Sequence, residues 1–90
     1  MPSSREELEN LWRRRLEQAG EVHQRALSAV EQIRAARDAG ELMGQEGDAA
    51  LRRAIREERR ARVRFIRTLR IFSDLVVRHK PPPDDRELAG

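Results

Sequence analysis

The sequence predicts an all-α chain: an antiparallel two-helix hairpin that dimerises into a four-helix bundle. Three observations lead to this expectation. Residues 5–39 and 49–79 each repeat apolar side chains at helical spacing, and Gly40, Gly44 and Gly47 lie between them. The second half of the second pattern is apolar around more of its circumference than one partner helix can cover.

The first helix opens on Ser3 and Ser4, followed three residues later by Glu6 and Glu7, so that either serine fits a capping box. With Trp12 placed at heptad position a, Trp12, Ala19, Ala26 and Ile33 form the a set. Leu8, Val22, Ala29 and Ala36 fall at d, and Leu16, His23 and Val30 at e. Arg15 is the charged exception at d. Gly20 is the weak point, because glycine inside a helix costs about 1 kcal/mol relative to alanine. It marks either a kink, or a break into two shorter helices, or a place where a neighbouring helix comes close to Ala19 and Ala26.

The glycines at 40–47 predict a reversal over residues 40–48, with Asp48 as the N-cap of the second helix. From Leu51 at position a, the a set is Leu51, Glu58, Phe65 and Phe72. The d set is Ala54, Ala61, Thr68 and Leu75, and the e set is Ile55, Arg62, Leu69 and Val76. Pro81-Pro82-Pro83 cannot continue a helix, so residues 81–90 read as a flexible polar tail after a hairpin spanning 1–80. With the reversal centred near Gly44, the alanines of the first helix face the arginine-rich part of the second. Leu8, Leu11, Trp12 and Leu16 then face Phe72, Leu75, Val76 and Val77. The core is expected to be thin near the turn and bulky near the termini.

Ninety residues make one small domain, and 39% of them are charged while only 3% are aromatic. Pairing with another copy is one route by which so small a core becomes stable. Val63, Phe65, Ile66, Leu69, Phe72, Leu75 and Val76 are the expected interface, with itself or with another protein. The N-terminal residues lack the apolar run of a signal peptide, and the longest apolar-rich stretch, near 71–77, is too short to span a bilayer. The expectation is a cytoplasmic protein without a membrane partner.

Charge is segregated. Residues 52–70 carry nine arginines and two acids, whereas residues 1–48 carry seven arginines and ten acids. Arg52, Arg53, Arg56, Arg59, Arg60, Arg67 and Arg70 occupy the b, c and f positions, opposite the apolar face. Such a stripe is an electrostatic footprint for nucleic acid or for an acidic protein, or else a solvated helix face. Glu58 and Arg62 sit at core positions and are spaced for an i,i+4 ion pair, or Arg62 lays its stem over small residues and sends its head to water. Arg15 is expected to reach Ser73 or Asp74 across the hairpin.

No catalytic chemistry is expected. The chain has no cysteine, and neither histidine, His23 or His79, has a second ligand at metal spacing. Di-metal helical bundles need Glu-x-x-His, and here Glu57 and Glu58 are followed by Arg60 and Ala61. The turn glycines lack the strand and lysine of a phosphate loop. The reading is therefore a non-enzymatic helical adaptor without cofactor or metal, acting through the apolar second half of helix 2. The alternative is sequence-nonspecific nucleic-acid binding through the arginines.

Overall fold

The computed structural model describes residues 4–83. Among them the chain forms two helices and no strand: α1, Arg5–Asp38, and α2, Gly44–Val77, packed against each other along their length. The helices are 34 residues each. A rise of about 1.5 Å per residue makes each roughly 51 Å long, which matches the 54 × 22 × 20 Å rod.

Both helices start and stop for local reasons. Ser4 is the N-cap of α1, and its hydroxyl accepts from the Glu7 backbone N–H at 3.1 Å. At the other end Gly40 takes φ 78°, the left-handed conformation that glycine adopts without strain. Its N–H donates to the Arg37 carbonyl at 3.0 Å, and the Glu41 N–H donates to the Ala36 carbonyl at 2.8 Å. That pair of bonds is a Schellman motif. α2 ends at Val77, two residues before the expected limit at His79. His79 is left-handed at φ 57°, the Lys80 N–H returns to the Asp74 carbonyl at 3.0 Å, and Pro81 follows. Of the expected tail, residues 84–90 lie outside the described residues.

The reversal is shorter than the glycines suggested. α2 begins at Gly44 instead of Ala49, its N-cap is Met43, and Asp48 is therefore inside the helix and not its cap. Gly47 explains the difference. It is buried, and a Cβ there would stand 3.0 Å from the Leu42 carbonyl oxygen, so this glycine is a contact point of the helix and not a stop. The register shifts with it. Arg37 reaches Asp48, Gly20 lies against Phe65, and the Arg13 guanidinium lies over the Phe72 ring. All three pairs are symmetric about the Leu42–Met43 junction and not about Gly44.

Between the helices runs a seam of regular spacing. On α2 the buried residues are Gly47, Ala54, Ala61, Thr68 and Leu75, each seven from the last. On α1 they are Trp12, Ala19 and Val30. Seven-residue spacing is the signature of helices that wind together in a left-handed supercoil. The seam is graded as expected: glycine and alanine near the turn, and Trp12 (2% exposed) and Leu75 (4% exposed) toward the open end. Thr68, the polar member, donates its hydroxyl to the Arg64 carbonyl one turn back at 2.8 Å, so its burial leaves no orphan. α1 runs unbroken through Gly20, which supports the close-approach reading of that residue: a Cβ there would meet the Phe65 ring at 3.3 Å.

Because Trp12 is the largest buried side chain at the seam's open end, Trp12→Ala should lower unfolding free energy by about 3–5 kcal/mol in a urea titration. Met43→Ala, at a position 78% exposed, should stay within about 0.5 kcal/mol.

Candidate functional site

Three features around the seam offer chemistry to a partner: an apolar flank, an arginine-rich flank, and a polar bridge that holds the helices in register between them.

The apolar flank belongs to the distal half of α2. Leu69 and Val76 are both at heptad position e, beside the seam, and Ile66 is at b next to them. They are 42%, 36% and 45% exposed. Phe65 and Phe72, also seven apart, are half-buried at the edge of the same flank. Val63 and Val77, still more exposed, lie on the outer face. Of the residues expected at an interface, Leu75 must be reassigned, since it is already buried between α1 and α2. The cause is its place in the d series with Ala54, Ala61 and Thr68, which faces α1.

The arginines run along the outer face of α2 and reach the side of the seam away from Leu69 and Val76. The expected ridge residues Arg52, Arg53, Arg56, Arg59, Arg60, Arg67 and Arg70 are all exposed along α2. Folding adds what the helix 2 pattern alone does not show. Arg59, Arg60, Arg64 and Arg67 of α2 converge with Arg15 and Arg25 of α1 around one groove of about 1430 Å³. Glu21 is the only acid lining it. Its apolar lining comes from Trp12, Ala19, Val22 and Val63, with Thr68 beside them. Arg15, expected to cross to Ser73 or Asp74, lies 4.6 Å over the Trp12 ring, and Asp74 stands 3.9 Å from Arg78. A cation held over an aromatic face gains electrostatically from the ring quadrupole.

The polar bridge crosses the middle of the hairpin. The His23 Nε2–H donates to Glu58 Oε2 at 2.8 Å, and the two side chains are only 16% and 12% exposed. The Arg62 guanidinium stands 3.8 Å from the same carboxylate oxygen while remaining half exposed. Thus the anticipated Glu58–Arg62 pair exists, but His23 is the closer partner. The His23 ring also stacks on Phe65, centroids 5.9 Å apart and planes at 16°. Sequence reasoning missed this bridge because it depends on the register of one helix against the other. The available signal was a carboxylate at a core position with a histidine on the apolar edge of the facing helix. Among the described residues no three His, Cys, Asp or Glu side chains cluster as metal ligands, and no helix is long and apolar enough to cross a membrane.

No protein-family model, no curated protein and no solved structure matches this chain.

If the bridge locks register, a double-mutant cycle on His23→Ala and Glu58→Ala should return a coupling energy of about 0.5–3 kcal/mol in denaturant unfolding. Additive effects would mean that the two side chains do not act on each other.

Proposed function

We propose that this chain is a non-enzymatic helical interaction protein that pairs with a second copy of itself through the distal half of α2 and, as that four-helix bundle, acts as an adaptor for another protein. The observation that carries the proposal is the exposed apolar flank of Ile66, Leu69 and Val76 beside a seam that is already filled. Burying one such side chain is worth roughly 1.5–3 kcal/mol, so leaving several in water is a large loss for so small a domain. A second copy suits the flank for a geometric reason. Leu69 and Val76, like Phe65 and Phe72, repeat at seven residues, the spacing of the intramolecular seam. A helix wound with the same period can therefore follow both surfaces.

The expected solution species is a dimer, about twice the 10.5 kDa chain mass, by light scattering after size exclusion. Ile66→Gln with Leu69→Gln should shift it toward monomer while helical circular dichroism persists. A well-folded wild-type monomer at tens of micromolar, an order-of-magnitude concentration at which a stable dimer persists, would contradict the proposal.

A second reading is favoured by the exposed ridge: nucleic acid held through its phosphates. It supports contact without base reading, because no aromatic side chain interleaves with these arginines. Retention on duplex DNA should then fall by roughly 0.9 log units per phosphate contact per log unit of salt. Changing Arg52, Arg53, Arg56, Arg59 and Arg60 to Gln should abolish it. Unchanged retention would leave the adaptor reading alone.

A further inference from the structure

We infer that the groove between α1 and α2 on the arginine-rich flank is a docking site for an acidic amphipathic helix of a partner protein. The site is distinct from the dimer surface proposed above. Arg60, Arg64 and Arg67 lie at heptad positions c and g, which flank the seam on one side, whereas Leu69 and Val76 lie at e, on the other.

The chemistry of the occupant follows from the two parts of the groove. The walls present six arginines, from both helices, against a single glutamate, so the occupant is anionic. The lining includes Val22 and Val63, 47% and 64% exposed, over a floor that contains buried Trp12 and Ala19. A phosphate backbone has no apolar surface to place on those valines. A helix with a leucine-type stripe between rows of carboxylates has one. The shape agrees: the groove is a trough between two long antiparallel helices, into which a third helix packs by fitting ridges to grooves. From Trp12 to Arg25 the lined length is about 20 Å at roughly 1.5 Å per residue, or nearly four turns of helix. A second copy of this chain is a poor occupant. Five of the seven acids on its α1, Glu7, Glu17, Glu21, Glu31 and Asp38, lie at c and f, where no leucine-type side chain accompanies them to fill the apolar floor, and its α2 is strongly basic. Like charges across a docking surface are repelled, which makes the acidic partner specific as well as favourable.

The chain's single tryptophan lies in the floor, so its emission reports occupancy directly. The probe is a synthetic peptide of about 18 residues, roughly 27 Å as a helix, with leucines at heptad spacing and glutamates on both sides. It should bind saturably at low salt and shift Trp12 emission. Arg60→Glu with Arg64→Glu, helicity checked by circular dichroism, should weaken binding by roughly tenfold or more. Met43→Ala, 78% exposed at the turn and outside the groove, should leave binding unchanged. A scrambled peptide of identical composition, tested on the wild-type chain, should bind far more weakly. Equal binding of the scrambled peptide would overturn the proposal, because charge alone would then suffice. Short duplex DNA that binds more tightly than the peptide and perturbs Trp12 would assign the groove to nucleic acid and also overturn it. So would the absence of any peptide binding at low salt.

Discussion

The close contact of two helices along a file of small residues is the constraint on which this molecule rests. Ala54 and Ala61 keep α2 thin where it meets α1, Gly47 does the same against Leu42 of the turn, and only at Thr68 and Leu75 does the file widen. Packing of this kind removes apolar surface from water over the full length of the rod with few large side chains. That is the solution available to a chain that is 39% charged and 3% aromatic. The same closeness sets everything lateral to the seam. It puts Phe65 against Gly20, and it brings His23 within hydrogen-bond distance of Glu58. Helices held farther apart by larger seam residues would break both contacts.

The seam also sorts the surfaces. Once the d positions of α2 are committed to α1, Phe65, Leu69, Phe72 and Val76 fall on the a and e side, Arg53, Arg60, Arg64 and Arg67 on the c and g side, and the other ridge arginines on the outer b and f positions. The hairpin is consequently two-faced: one flank is apolar and half-covered, and the other is cationic with an apolar floor. Arg15 and Arg25 come from α1, so the cationic flank is a property of the folded pair and not of the α2 sequence alone. The two flanks ask for different partners, one matching in period and the other complementary in charge.

Much of this architecture was legible in the residues. Periodicity assigned Trp12 and Ala19 to the a file of the first helix and Ala54, Ala61, Thr68 and Leu75 to the d file of the second, and these are buried. The gradient from small to large also followed from the spacing. What could not be read was the turn, because glycine carries several meanings. Gly40 is a helix stop, as its flanking pattern suggested, but Gly47 is a close-contact position that happens to lie near a turn. Confusing the two moved the start of α2 and the centre of the reversal. The cross-helix details moved with that centre, which is why the His23–Glu58 bridge and the contribution of α1 to the groove were out of reach. Leu75 was counted twice, in the d file that faces α1 and among the residues of an outward interface, and only the first place agrees with its burial.

The central claim is tested most directly by enlarging the seam. Ala61 is 7% exposed at the middle of the file. Ala61→Leu, melted at the same protein concentration as the wild type, should lower the midpoint. Overpacking typically costs about 1–3 kcal/mol, and each kcal/mol moves the midpoint of a domain this size by roughly 4–8 °C. A midpoint that is unchanged or raised would contradict the account, since it would mean that the helices are not held together at alanine distance.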